Sequence, residues 1–137
     1  MDYQDYRKSF FVEPQPPQRF DYRGLLGITI FFQNYPEAIT YYSSVLGEPA
    51  YVEGKGTRGW RIGQTWLTLL QGRSGNPTNV EIAFVMDTPK EAERLQQAFI
   101  AVGGKGEEPS DQLMYIPIRS CPVTDPFGTQ IMIYSPL

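Results

Sequence analysis

Few side chains in this sequence can do chemistry, and none of the 137 residues is a histidine. Glu81 is a lone carboxylate between apolar strand residues, where it could act as a general base or attract a cation. The alternative is that Glu81 pairs with Arg61 or Arg119, or lies in water at the rim of a site. Cys121 is the only cysteine, and without a histidine to activate it we interpret it as a small strand residue.

Aromatic residues make up 14% of the sequence, which is more than a core of this size requires. We expect some of them to form walls on which a flat or cationic ligand stacks, and ordinary core packing is the alternative. The candidates are Trp60, Trp66, Tyr115 and Tyr134, with core packing favoured for Trp60 by its phase. Arg119 alternates with apolar residues and could point into the same site to hold an anion, or lie exposed on a strand.

The composition predicts one soluble domain, since 137 residues, 41% hydrophobic and 20% charged, are typical of a single globular unit. No apolar run approaches the roughly 20 residues of a membrane helix, so we expect no membrane partner. The N-terminus lacks the apolar run of a secretory signal, which predicts a cytoplasmic protein. A net charge of −3 with scattered basic residues argues against a nucleic-acid partner.

Residues 1–23 are predicted to form an N-terminal arm. The segment shows no helical or strand period, and Pro14, Pro16 and Pro17 favour an extended path. It also carries several aromatic residues, so we expect it to pack on the body or on a partner subunit. A partly disordered leader is the alternative.

A strand, a helix and three strands are predicted between residues 24 and 72. Ile28–Phe32 alternates as a strand with one strongly apolar face. A helix follows, because Pro36 suits a first turn, apolar residues recur at helical spacing and Gly47 provides a stop. The three short strands are predicted at 50–53, 58–62 and 65–71.

The same order of elements is predicted again between residues 78 and 137. Val80–Met86 alternates as a strand. The second helix has a clear start, with Thr88 as N-cap, Pro89 at the first position and Glu91 completing a capping box. The later strands are predicted near 106–108, 113–123 and 130–135.

Three features coincide in these two halves: the duplicated βαβββ order, a helix that ends in Tyr41–Gly47 (YYSSVLG), and the terminal Thr124–Gln130 (TDPFGTQ). Together they resemble the vicinal oxygen chelate superfamily, which includes glyoxalase I, extradiol dioxygenases and the bleomycin-resistance proteins. The resemblance covers residues 24–137. It implies an α+β fold in which two βαβββ modules form a cup-shaped mixed sheet, with the helices outside and the site inside.

The resemblance also implies which side chains reach the site. The aliphatic face of each strand belongs under a helix, so the residues of opposite parity should face the cup. Together with the aromatic and arginine candidates named above, the predicted ligand-binding residues are Phe31, Trp60, Trp66, Thr68, Glu81, Tyr115, Arg119, Met132 and Tyr134.

Metal-dependent members of the superfamily carry one ligand on the first and last strand of each module, usually His or Glu. Here the matching positions are Gly27, Thr68, Glu81 and Met132. Only Glu81 could bind a divalent ion, and a single carboxylate is not a site. We therefore expect no metal and no other cofactor, with ligation by carboxylates alone as the alternative.

The leading hypothesis is a non-catalytic protein of the sequestration or resistance type that binds a small hydrophobic or cationic molecule in an aromatic-lined pocket. The resemblance implies a homodimer whose groove lies between the chains. The first alternative is a glyoxalase-like lyase or isomerase that uses Glu81 as base or a carboxylate-held metal. The second is an interaction module whose pocket is filled by its own side chains.

Overall fold

The computed structural model describes residues 1–137 and contains three helices and ten strands. The helices are α1 (Tyr3–Phe10), α2 (Tyr35–Leu46) and α3 (Pro89–Ala101). The strands are β1 (Gly27–Phe32), β2 (Tyr51–Glu53), β3 (Thr57–Ile62), β4 (Thr65–Gln71), β5 (Glu81–Val85), β6 (Lys105–Gly106), β7 (Ser110–Leu113), β8 (Pro117–Ser120), β9 (Val123–Thr124) and β10 (Gln130–Pro136). None of the helices is long and apolar enough to cross a membrane.

The strands form two mixed sheets with the same plan, which confirms the predicted α+β class. The first sheet has the order β1-β4-β3-β2, in which β1 and β4 are parallel and the other pairs antiparallel. In the second, β5 lies parallel to β10, β10 pairs with β8 and β9, and these pair with β7 and β6. In each sheet the first and last strands of the module are therefore paired in parallel. Such a pair needs a crossover connection, and the helix of the module lies in it.

The predicted apolar face of the first and last strand of each module is buried under a helix. In β1 and β4 the buried residues alternate, and the same holds in β5 and β10. The residues buried in these strands include Ile30, Phe32, Leu67, Leu69, Ile82, Phe84, Ile131 and Ile133. They form one hydrophobic core with residues of α2 and α3, so the core holds the two modules together.

Aromatic contacts at the helix layer connect the modules. The rings of Tyr41 in α2 and Phe99 in α3 stack with centroids 6.0 Å apart, and the Tyr41 hydroxyl donates to the Phe99 carbonyl oxygen at 3.1 Å. The Tyr42 hydroxyl donates to the buried Asp125 carboxylate at 2.8 Å. Asp125 also accepts backbone N–H bonds from Phe127 and Thr129, so the turn before β10 is fixed to α2.

The strand predicted over 113–123 is interrupted in the structure. β8 ends at Ser120 and β9 begins at Val123, and the proline between them cannot donate to a ladder. The buried Gln96 side chain of α3 donates from Nε2 to the carbonyl oxygens of Pro122 and Glu107, at 2.8 and 2.7 Å. The amide of Gln96 therefore satisfies the backbone where the ladder is broken.

Helix α1 was not predicted, since the arm was expected to be extended. Asp2 caps it by accepting from the Asp5 N–H at 2.8 Å, and Tyr6 and Phe10 pack at i,i+4 with ring centroids 4.8 Å apart. Its Tyr3 hydroxyl donates to the carbonyl oxygen of Tyr115 in the β7–β8 connection. No residue of α1 is buried in the core.

Candidate functional site

Each sheet has one face that its helix does not cover, and the predicted cup residues lie on these open faces. Successive strand residues point to opposite faces, so burial of one parity leaves the other open. On the first sheet the open residues are Thr29 and Phe31 of β1 and Trp66, Thr68 and Leu70 of β4. On the second they are Glu81 and Ala83 of β5 and Gln130, Met132 and Tyr134 of β10.

The open face of the first sheet contains a slot whose floor is made by glycines. Gly27 of β1 lies opposite Trp66, and Gly59 of β3 lies opposite Thr68. Because neither glycine has a side chain, the sheet is low on both sides of β4 while Trp66 rises from it. The resulting open cavity has a volume of about 400 Å³ and is lined by Leu26, Gly27, Ile28, Thr29, Tyr51, Trp66 and Thr68.

Three side chains form an ordered cluster at this slot. The Tyr51 ring meets the half-buried Trp66 ring edge to face, with centroids 6.4 Å apart. The Arg61 guanidinium lies over the Trp66 ring, 5.1 Å from its centroid, and its Nε donates to the Gly63 carbonyl oxygen at 3.0 Å. The other two nitrogens of Arg61 have no protein partner. An aromatic wall and a positioned cation therefore lie side by side.

The open face of the second sheet carries Glu81 and Tyr134. Partial burial, together with the charge of Glu81 and the neighbouring Tyr115, raises the pKa of the Tyr134 hydroxyl, so Tyr134 stays a neutral hydrogen-bond donor. Glu81 is exposed and makes no ion pair. The expectation that Glu81 pairs with Arg61 or Arg119 is therefore wrong, and the expectation of a carboxylate in water is the one that the structure matches.

Two predicted site residues lie on the covered side of the sheets. Trp60 is only 3% exposed, lies opposite the core residue Leu67, and donates from Nε1 to the Gly47 carbonyl oxygen at 2.8 Å. Arg119 lies opposite the buried Ser135 and forms ion pairs with Glu93 of α3, at 2.9 Å, and with Asp111. We therefore correct both assignments and remove Trp60 and Arg119 from the site.

Phe31 and Tyr115 lie at the margins of the open faces. Phe31 is 55% exposed and borders a second cavity of about 400 Å³, formed with the loop of residues 71–77. Tyr115 is 79% exposed, and with residues of α1 it lines a third cavity of about 400 Å³. The structure thus places the two residues in different depressions, neither of which is the slot at Trp66.

Comparisons with known proteins by sequence and by structure give different results for this chain. No protein-family model matches the sequence, and no curated protein matches it significantly. A glyoxalase/bleomycin resistance protein from Albidiferax ferrireducens T118 superposes with a TM-score of 0.65 at 18% identity, covering 82% of this chain and 98% of that one. A glyoxalase/bleomycin resistance protein/dioxygenase family enzyme from Burkholderia phytofirmans PsJN gives 0.63 at 18%, covering 82% and 98%. A Salmonella typhimurium virulence protein gives 0.67 at 19%, covering 86% and 100%.

The chain has the glyoxalase/bleomycin resistance fold. This confirms, at the level of fold, the resemblance expected from the duplicated modules. Identities below 20% carry no information on activity, so the chemistry of the open faces has to come from the residues that line them.

The donors present do not fit the metal site that metal-dependent relatives of this fold hold. A Cβ added at Gly27 would overlap the carbonyl oxygen of Trp66 and lie 2.9 Å from its carbonyl carbon, so this position has no room for a ligating side chain. Thr68 and Met132 supply no carboxylate or imidazole, and Glu81 is left as one donor. No group of three or more Cys, Asp or Glu side chains is placed to hold an ion.

Sequence reasoning missed Tyr51, which lines the slot, and Gly59 and Arg61, which lie beside it. A signal was available for Arg61, because it follows Trp60 in β3 and so must face away from the core that holds Trp60. Tyr51 and Gly59 depend on the β2–β3 register, which places them opposite each other. That register follows from a turn whose geometry the alternation of residues does not specify.

Proposed function

We propose that this protein binds a small apolar molecule with a flat ring, by stacking it on Trp66 in the slot of the first sheet. The observation that carries the proposal is the half-buried indole standing above a glycine floor, with Tyr51 as a second aromatic wall. Ring stacking of this kind contributes about 1 kcal/mol beyond the area buried. Sequestration requires affinity alone, so a binder of the resistance type needs no catalytic group.

The alternative of a lyase or isomerase has less support. A general base has to lie beside the proton that it removes, with a partner that orients it. Glu81 makes no ion pair and lies on the second sheet, while the aromatic slot lies on the first. A lyase or isomerase activity that Glu81→Gln abolishes without changing ligand binding would favour this alternative over the binding proposal.

We further propose that the protein is a homodimer in which each cup is completed by a second copy. β1 and β5 each lie at an edge of their sheets, with one ladder edge unpaired. Large apolar side chains near these edges are strongly exposed, among them Leu25, Leu26 and Val85. Exposed edges with apolar side chains are sites of association, and a twofold contact would cover both edges at once.

The binding proposal is tested with N-phenyl-1-naphthylamine, an uncharged flat probe whose fluorescence rises in apolar surroundings. We expect saturable binding to the wild-type protein and a roughly tenfold weaker affinity for Trp66→Leu, since a stacking surface is lost. Phe20→Leu removes an exposed aromatic residue of the arm and is the matched control, expected to bind as wild type. Equal affinity of wild type and Trp66→Leu would overturn the assignment of the slot.

A further inference from the structure

The guanidinium of Arg61 is held in place without a partner of opposite charge. One contact is the face of Trp66, 5.1 Å from the guanidinium carbon, and the other is the hydrogen bond from Nε to the Gly63 carbonyl oxygen. These two contacts hold the planar guanidinium in one orientation before any ligand binds. Binding a ligand therefore costs Arg61 less conformational entropy than it would cost a freely moving arginine. The two terminal nitrogens keep their donor capacity.

Three arginines of the chain form ion pairs, whereas Arg61 forms none, like Arg19, Arg23, Arg58 and Arg73. Arg7, Arg94 and Arg119 form ion pairs with carboxylates, at Glu13, Glu91 and Glu93 respectively. Glu53, a carboxylate on the first sheet, accepts from the Tyr51 hydroxyl at 2.7 Å and makes no ion pair. Arg61 is therefore a fixed cation that lacks an ion-pair partner, beside the candidate stacking surface.

We infer that the ligand of the slot carries an anionic group, a carboxylate, sulfonate or phosphate, next to its flat apolar ring. The ring would stack on Trp66 while the anion accepts two hydrogen bonds from the terminal nitrogens of Arg61, the geometry that guanidinium groups favour. The inference rests on the proposed function and adds an anionic group to the ligand proposed there. It selects against the cationic ligand that the aromatic residues also allowed, because the Arg61 guanidinium places a positive charge beside Trp66.

The test compares two probes that share one ring system. 1-Anilinonaphthalene-8-sulfonate carries a sulfonate, and N-phenyl-1-naphthylamine is the same skeleton without it. We expect the wild-type protein to bind the sulfonate more tightly than the neutral probe, with an affinity for the sulfonate that falls as salt is added. Arg61→Gln should weaken sulfonate binding by roughly tenfold and leave the neutral probe unchanged.

Two further variants distinguish a direct contact between Arg61 and the sulfonate from a general effect of the protein's charge. Arg94→Gln removes the same charge from α3, on the covered side of the second sheet, and should bind both probes as wild type does. Arg61→Lys keeps the charge and loses the planar fork, so its affinity for the sulfonate should lie between those of wild type and Arg61→Gln. Arg61 is exposed, and thermal unfolding of each variant confirms that the fold is intact.

The possible outcomes are distinct. Equal sulfonate binding by Arg61→Gln and wild type, or an equal loss in Arg94→Gln, would overturn the inference while binding of the neutral probe keeps the proposed function. Tighter binding of a cationic ring compound than of the sulfonate would also overturn it. Absence of binding by both probes would reject the proposed function, and this inference with it.

Discussion

At the scale of single residues, two glycines determine where the first open face becomes concave. Gly27 and Gly59 lie on either side of β4, and a Cβ on Gly27 would meet backbone atoms of Trp66, whereas one on Gly59 would meet side chains at the slot. A Cβ on Gly59 would come within 3.3 Å of Tyr51 and 3.5 Å of the Trp66 ring. The slot therefore depends on missing side chains as much as on the aromatic residues around it.

Gly27→Ala should destabilise the protein strongly, because the added Cβ would overlap backbone atoms of Trp66 that cannot move without breaking the β1–β4 ladder. We expect a loss of at least about 2 kcal/mol in the free energy of unfolding, measured by urea denaturation. Gly56→Ala is the control, since its Cβ would meet the nearest atom at 3.5 Å, an ordinary contact. Equal stability of the two variants would contradict the close packing of β1 on β4.

Because of Tyr41 and Tyr42, the free energy of unfolding should decrease at alkaline pH. Burial, followed by the nearby charge of Asp125, raises the pKa of Tyr41 from 10.0 to about 12, and the same causes raise the pKa of Tyr42 further. The unfolded chain loses these protons near pH 10, so stability is full below that pH and falls as the pH rises above it. Urea denaturation from pH 7 to 11 measures the slope above pH 10.

The Tyr42→Phe variant separates the two tyrosines. It removes the hydroxyl that donates to Asp125, and at pH 7 it should cost about 1.5–3 kcal/mol, as expected for a buried hydrogen bond to a charged group. Above pH 10 its stability should fall less steeply than that of wild type. An identical pH slope in the two proteins would contradict a raised pKa of Tyr42, because its hydroxyl would then titrate alike in the folded and the unfolded chain.

At the scale of elements, patterns that depend on neighbouring residues were predicted and those that depend on distant partners were not. The Thr88 N-cap of α3 and the alternation of β5 lie within a few residues, and the structure contains both, although the Glu91 side chain pairs with Arg94 and does not complete the capping box. The face of Arg119 was predicted wrongly because buried residues occur in both phases around it: Ile118 in β8 is 4% exposed, and Cys121, just after β8 and in phase with Arg119, is fully buried. Local alternation cannot choose between two buried faces.

The helix of the arm was missed for a different reason. Pro14, Pro16 and Pro17 favour an extended path, whereas Asp2 is a good N-cap and Tyr6 and Phe10 have helical spacing. Eight residues are too few for a helix to be stable alone, so α1 depends on contacts such as that between Tyr3 and Tyr115. Sequence does not reveal such a contact between residues 112 positions apart.

Thr88→Ala tests the cap of α3. The Thr88 hydroxyl accepts from the Glu91 N–H at 3.2 Å, and its loss should cost about 1 kcal/mol in the free energy of unfolding. Thr40→Ala is the matched control within α2, where the exposed threonine bonds back to the Pro36 carbonyl oxygen and alanine is the better helix former. Equal losses in both variants would contradict a capping role for Thr88.

At the scale of the whole molecule, the two modules share a core on the helix side and leave their open faces separate. The sheets have no strand pair in common. The repeated order of elements in the sequence predicted the two-module fold. It did not predict that the two sheets are separate within one chain, because that arrangement depends on the packing of Tyr41, Tyr42 and Phe99. The proposed second copy would close each cup.

Val85→Lys tests the proposed dimer. Val85 is 74% exposed on the edge strand β5, and a charge there would be buried by a partner that pairs along this edge. In sedimentation velocity we expect wild type to be a dimer and Val85→Lys to dissociate at concentrations where wild type does not. Val52→Lys, an exposed position on β2 at the far edge of the first sheet, should remain dimeric. A monomeric wild type would contradict the proposal.

The binding role of the slot is tested most directly by following the two tryptophan indole N–H signals in a ¹H–¹⁵N spectrum during titration with 1-anilinonaphthalene-8-sulfonate. The sequence has two tryptophans, so the Trp66→Leu variant assigns both signals. We predict that the Trp66 signal shifts with saturation together with amides of β1 and β4, while the Trp60 signal, bonded to Gly47 in the core, stays in place. Shifts confined to α1 and the β7–β8 connection, with Trp66 unmoved, would contradict the account.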